Sequence, residues 1–200
     1  MKILIVGGNG TLGKKVTERL KEKHEVLVAG RTGGDLRVDI TDSNSIKNLF
    51  EKTGKLDAIV STAGAAKWAP FDTMSEDDFY IGIKSKLMGQ VNLVRIGRDY
   101  LSNGGSITLT TGILGDDPVV NTTNAAMVNG AIHGFVKAVS LEIKNDIRVN
   151  AVSPGLVEDS KDKFGDYFPG HIPVSMDKMV SGYIKSVEGK VRGQVIRIYG

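Results

Sequence analysis

The sequence predicts a single doubly wound α/β domain: one parallel sheet with helices on both faces. Three observations carry that expectation. Short continuous apolar runs, the mark of strands buried on both faces, recur along the chain and alternate with helical patterns. The first run leads directly into Gly8-x-Gly10-x-x-Gly13. A chain of 200 residues with 40% hydrophobic and 24% charged side chains has the length and balance of one globular core, and no repeat, low-complexity tract or linker divides residues 1–200.

Ile3–Val6 reads as the first strand, 11–22 as the first helix and Glu25–Ala29 as the second strand. The connection Gly30–Asp35 is too short for the crossover that parallel neighbours ordinarily need, so Leu36–Val38 is expected only as a short edge strand. A helix over 43–52 precedes a strand at Ala58–Ser61, and a long helical pattern over 75–101 precedes Ser106–Thr110. Helices over 123–144 and 175–187 precede the strands Arg148–Val152 and Val195–Ile198. The stretch 156–193, with Pro169, Pro173 and several glycines, is expected as loop and short helix over the mouth of the sheet.

Composition excludes several functions. The chain has no cysteine, hence no disulfide, thiolate metal site or thiol nucleophile. The net charge of +3 is small and the basic residues are scattered, which argues against a nucleic-acid surface. The first apolar run stops at Gly7, too short for a signal peptide, and no segment reaches the length of a membrane span. The expectation is a soluble, cytoplasmic protein with no membrane or nucleic-acid partner and no metal.

The glycine motif carries the chemistry. Following a strand and opening a helix, Gly7-Gly8-Asn9-Gly10-Thr11-Leu12-Gly13 has the context of a dinucleotide loop. Its glycines permit a tight turn, close approach of backbone to pyrophosphate and close helix–strand packing, while the helix N-terminus offers free N–H groups to phosphate. After the second strand an NAD site usually places a carboxylate on the adenosine ribose, but here the chain reads Ala29-Gly30-Arg31-Thr32. A guanidinium with space beside it suits a 2′-phosphate, so NADP(H) is expected over NAD; the other reading of Arg31 is a solvated loop charge. Asp39, with Ile40 beside it, has two roles open to it: bonding the adenine amino group, or belonging to a helix start capped by Asp42 or Ser43.

Beyond these motifs the chain resembles the short-chain dehydrogenase/reductase family over nearly its whole length. Asp57-Ala58-Ile59-Val60-Ser61-Thr62-Ala63-Gly64 is similar to that family's fourth strand and Asn-Asn-Ala-Gly turn, with both asparagines replaced. Arg148-Val149-Asn150-Ala151-Val152-Ser153-Pro154-Gly155 is similar to its sixth-strand segment at every position, and Gly193-Gln194-Val195 resembles the approach to its last strand. The resemblance implies a Rossmann-type sheet of strand order 3-2-1-4-5-6-7, with a cofactor at the carboxyl ends of the strands touching Ala63, Gly64, Pro154 and Gly155. It also implies a homodimer or homotetramer. The small residues Ala126, Gly130, Ala131, Gly134 and Ala138, at helical spacing, suit close helix approach either between copies or within the chain.

The resemblance is narrower still, to a small bacterial subgroup without the usual active-site residues. Between Leu101 and Val136 there is no tyrosine and no lysine. Where the family carries catalytic serine, tyrosine and lysine this chain has Gly112, Ala125 and Asn129, and Lys86 stands at the family's asparagine. Tyr80 and Lys84 have the pair's spacing but precede the fifth strand. Without a tuned phenol as acid and a polarising donor, general acid–base help of about 10²–10⁴ in rate is missing. Three residues remain as substitutes: Lys86 to polarise an oxygen or to contact cofactor, Thr111 to donate a weak hydrogen bond, and Asn129 to bond a ribose hydroxyl in place of lysine. His133 reads as a packing residue, and Asp159 as a carboxylate standing near the nicotinamide amide. Three functions stay open: an atypical NADP(H) oxidoreductase of unknown small-molecule substrate, a non-catalytic NADP(H)-sensing regulator, and an interaction scaffold.

Overall fold

The computed structural model describes residues 1–200 and pairs the apolar runs into one sheet of seven strands, all parallel, in the order β3-β2-β1-β4-β5-β6-β7. The strands are β1 (Lys2–Val6), β2 (Glu25–Gly30), β3 (Leu36–Arg37), β4 (Leu56–Ser61), β5 (Leu101–Thr110), β6 (Arg148–Pro154) and β7 (Val195–Ile198). The helices are α1 (Thr11–Lys21), α2 (Ser43–Thr53), α3 (Glu76–Gly82), α4 (Gly89–Gly97), α5 (Thr123–Glu142), the single turn α6 (Lys161–Phe164) and α7 (Met176–Glu188). No helix is long and apolar enough to cross a membrane.

Period-2 alternation divides β1 between two cores. Leu4 and Val6 face one side with Ile46, Leu49 and Phe50 of α2, Leu93 of α4 and Ile132 and Val136 of α5. Ile3 and Ile5 face the other with Val16 and Leu20 of α1 and Met179, Val180, Tyr183 and Val187 of α7. The doubly wound architecture follows, since each face of the sheet needs its own helical layer. Helix ends obey local chemistry. Asp42 caps α2 by accepting from the Asn44 N–H at 2.8 Å, Ser75 and Asp78 form a capping box on α3, and Ser175 accepts from the Lys178 N–H at the start of α7.

The short edge strand and the excursion after β6 follow expectation, whereas residues 75–101 and the start of β5 depart from it. The edge strand β3 is only two residues long, yet it pairs in parallel with Ala29 and Gly30 through a five-residue return, 31–35. Glycine makes that return possible: Gly34 has φ +107 and a Cβ there would sit 2.6 Å from the Val28 carbonyl oxygen, while the Asp35 carboxylate accepts from the Val28 N–H at 2.8 Å. Residues 75–101 do not form one helix. A π-helical stretch, Ile83–Met88, joins α3 to α4, and a 3-10 turn, Arg98–Tyr100, ends the run before Leu101 enters β5. That strand starts five residues earlier than its apolar run because Leu101 pairs with Leu56 before the register shifts to Ser106 opposite Ala58. Between β6 and α7, the isolated pair Val157–Val174 closes the base of an excursion that holds α6 and lies over the carboxyl ends of the strands.

Candidate active site

At the carboxyl ends of β1, β2 and β4 the glycine loop divides its labour. Gly7 has φ +88, and a Cβ there would stand 2.8 Å from the Ala63 amide nitrogen. A Cβ on Gly8 would meet Val28 at 2.8 Å, and one on Gly13 would overlap the Gly7 carbonyl. These glycines serve packing. Gly10 differs: it is exposed, and its Cβ would approach nothing closer than the Gly7 carbonyl at 3.4 Å. Gly10 is also the N-cap of α1, with no side chain bonded to the first N–H groups. Asn9 and Thr11 are exposed beside it. The loop therefore offers an open backbone cradle and unpaired N–H groups to an anion.

Two cavities flank the loop and share Gly64 as a wall. The first, about 310 Å³, is bordered by Gly7, Arg31, Asp39, Ile40, Ala63 and Ser85. Arg31 is exposed on its rim. Asp39 borders the cavity and also shapes the chain, accepting from the Thr41 N–H at 2.9 Å and the Thr41 hydroxyl at 2.7 Å. Those hydrogen bonds, with Arg31 adding a smaller charge effect, hold its carboxyl below the usual range. Both roles open to Asp39 are thus compatible, and the cap of α2 falls to Asp42. Thr32 is exposed but borders neither cavity, because the return toward β3 turns it away.

The second cavity, about 280 Å³, has walls from Leu12, Lys86, Gly112, Ala125, Asn129, Pro154 and Gly155, with Trp68, Leu114, Leu156, Phe164 and Phe168 on its apolar side. Lys86 is the one ionisable side chain among its lining residues. Its ammonium donates to the Thr111 carbonyl at 3.4 Å, and burial alone pushes its pKa down to about 8. Asn129 is 3% exposed; its Nδ2 donates weakly to the Gly112 carbonyl at 3.5 Å and its Oδ1 has no partner. A buried acceptor left unsatisfied costs about 1–3 kcal/mol and suits a ligand hydroxyl or amide.

The structure corrects two further expectations. The Thr111 hydroxyl does not point free into the cavity: it contacts His133 Nε2 at 2.9 Å and lies 3.4 Å from the Val152 carbonyl, so the wall itself occupies it. Asp159 is exposed in the 3-10 turn Glu158–Ser160, and Ser160 rather than Asp159 borders the cavity, because the turn carries the carboxylate outward. In keeping with their place before the fifth strand, Tyr80 and Lys84 sit on the surface with the ammonium 5.7 Å from the ring centroid, away from both cavities. His133 is the buried packing residue expected. Its other ring nitrogen lies 3.7 Å from Asp116, and burial lowers its pKa despite that carboxylate.

Comparison with known proteins agrees with this fold. Residues 2–173 match the family described as enoyl-(acyl carrier protein) reductase. The 3-oxoacyl-[acyl-carrier-protein] reductase MabA of Mycobacterium avium is 28% identical over 170 residues, 78% of this chain and 67% of that protein. The crystal structure of protein lin1944 from Listeria innocua superposes with a TM-score of 0.98 at 46% identity, covering 100% of both chains. A small-chain dehydrogenase crystallised in complex with NADPH superposes at a TM-score of 0.87 and 29% identity, covering 100% of this chain and 96% of that one. The chain belongs to the short-chain dehydrogenase/reductase family.

Within this family member, two sets of site residues lay outside the sequence reading. Leu114, Leu156, Phe164 and Phe168 make the apolar wall with Trp68, whose ring lies 5.4 Å from that of Phe164 and 6.4 Å from that of Phe168. Gln90 is fully buried; it donates to the Lys86 carbonyl at 3.1 Å and the Thr110 carbonyl at 2.9 Å and accepts from the Thr110 N–H at 2.8 Å. It pins the π-helical stretch to the end of β5 and so positions Lys86. A glutamine four residues after Lys86, among apolar neighbours, was the available signal.

Proposed function

We propose that the protein is an NADP(H)-binding oxidoreductase with an atypical active site. Arg31 carries the reading of the cofactor: the end of β2 sets a guanidinium, not a carboxylate, on the rim of the cavity that suits adenosine. Gly7, Gly8, Asn9, Gly10, Thr11, Leu12 and Gly13 fit the pyrophosphate turn, Asp39 and Ile40 the adenine, and Ala63 and Gly64 the middle of the dinucleotide. Asn129 Oδ1 suits a ribose hydroxyl, with Pro154 and Gly155 beside the nicotinamide. The NADPH complex of the related small-chain dehydrogenase supports this reading. Calorimetric titration with NADPH and NADH tests it: NADPH binds more tightly in the wild type, and Arg31→Ala removes the preference. Equal affinities in the wild type contradict it.

Bound NADPH supplies hydride. The chain's part is to orient it, exclude water and hold a proton, and the usual serine–tyrosine–lysine set is replaced by Gly112, Ala125 and Asn129. Ordinary carbonyl reduction through a phenol is therefore not available. Lys86 is the one cavity residue able to hold and release a proton near neutral pH, whereas the Thr111 hydroxyl is bound within the wall.

A second reading, a non-catalytic NADP(H) sensor, is favoured by that same lone cation. An ammonium beside the ring disfavours the positively charged oxidised nicotinamide and so distinguishes the two redox states. Turnover with small carbonyl compounds selects the enzyme; preference for NADPH over NADP⁺ without turnover selects the sensor.

Self-association as a homodimer or homotetramer is part of the proposal. It is supported by the exposure of Ala131, Gly134 and Ala138 on α5, where a Cβ at Gly134 would meet nothing within 4 Å. Sedimentation of the protein as a monomer contradicts it.

A further inference from the structure

The second cavity is chemically one-sided. Its walls combine aromatic and aliphatic side chains, Trp68, Leu114, Phe164 and Phe168 among them, with a single charge, the Lys86 ammonium. No acid or base faces that ammonium from the Gly64 turn, from the segment after β5, from α5 or from the end of β6; the lining residues there are Gly64, Thr111, Gly112, Ala125, Asn129, Pro154 and Gly155. Its only hydrogen bond is the 3.4 Å contact to the Thr111 carbonyl, and the half-buried position makes the charge costly. Long lysine side chains ordinarily extend their heads to water. Here Gln90 holds the backbone of the π-helical stretch against β5, and Gly64 lets it approach closely enough to direct the side chain inward.

We propose that this cavity binds a small apolar monocarboxylate, with its carboxylate on Lys86 Nζ and its hydrocarbon or aromatic body against Trp68, Phe164 and Phe168. One ammonium neutralises one negative charge, so a dianionic phosphate would leave charge buried and unpaired, whereas a carboxylate leaves none. At about 280 Å³ the cavity lies just below the ~300–1,000 Å³ usual for drug-sized ligands, and the nicotinamide takes its Asn129, Pro154 and Gly155 side, which restricts the second ligand to a ring or a short chain on the Trp68 side. Asn129 Oδ1 stays available to a hydroxyl or amide of the neighbouring cofactor. The proposal names the second ligand of the site read above as NADP(H)-binding, but the Lys86 cavity stands on its own geometry.

Calorimetry on the full-length protein, with and without NADPH, tests it using benzoate, hexanoate and the matched neutral probes benzyl alcohol and hexanol. The expected result is that each carboxylate binds at least about tenfold more tightly than its alcohol, the minimum for a charge-assisted hydrogen bond. Lys86→Met reduces that ratio to near unity while alcohol binding persists, which also reports that the variant is folded, and Lys86→Arg retains a preference for the carboxylates. Equal binding of carboxylates and alcohols in the wild type overturns the proposal, as does a preference that survives Lys86→Met, or no binding of any probe. Carboxylate binding that depends on Lys86 in a protein that fails to bind NADPH upholds the proposal and removes the cofactor reading instead.

Discussion

Gly64 and Lys86 touch backbone to backbone: a Cβ on Gly64 would lie 2.9 Å from the Lys86 α-carbon and 3.1 Å from its Cγ. This contact joins the turn after β4 to the π-helical stretch, and it occurs at the wall common to both cavities. Gly64 also has φ +124, which side chains rarely adopt. Gly64→Ala thus meets both steric overlap and backbone strain, and an expected loss of about 1–3 kcal/mol follows, read as a shift of the denaturation midpoint. NADPH affinity falls in the same variant, since the wall moves. Wild-type stability in Gly64→Ala contradicts the packing described.

The glycine loop makes a paired prediction. Gly13→Ala forces a methyl onto the Gly7 carbonyl and destabilises the fold, whereas Gly10→Val leaves stability within about 1 kcal/mol because the side chain enters open space. Gly10→Val nevertheless weakens NADPH binding at least about tenfold, because that space is where pyrophosphate approaches. Thermal unfolding and calorimetry on the two variants separate the packing glycine from the ligand glycine.

Lys86 links the site to pH. Its pKa falls from 10.5 to about 8 on folding, so at pH 7 it is charged in both states and the cost of holding that half-buried charge is present. Between pH 8 and 10.5 the folded state has released the proton and the unfolded state has not, so stability rises with pH across that window. Lys86→Met is expected to be more stable than the wild type at pH 7 by roughly 1–3 kcal/mol, with the difference shrinking from pH 8 upward. Denaturant unfolding at pH 7 and pH 10 checks it; a variant less stable than the wild type at pH 7 contradicts it.

Much of this architecture is legible in the sequence because it rests on local chemistry. The apolar runs of β1, β2, β4 and β6, and the Gly8-Gly10-Gly13 spacing, announce themselves without tertiary context. The break of the 75–101 pattern does not. The π-helical stretch is met by Gly64 from the turn after β4 and tied through Gln90 to Thr110 at the end of β5, relationships invisible to helical periodicity. Likewise the sequence does not show that His133, 2.9 Å away across the fold, occupies the Thr111 hydroxyl. Aromatic residues at 164 and 168 sit in a stretch rich in glycine and proline, and only the Val157–Val174 pairing brings them over Trp68.

The most direct test of the central claim, that a reduced nicotinamide lies in the cavity beside Lys86, uses Trp68, the sole tryptophan and a wall of that cavity. Titration with NADPH, exciting the indole and following nicotinamide emission, is expected to give saturable energy transfer with the same midpoint as calorimetry, and Gly10→Val is expected to move that midpoint at least about tenfold higher. Calorimetric binding of NADPH without energy transfer from Trp68, or no binding at all, would contradict the account.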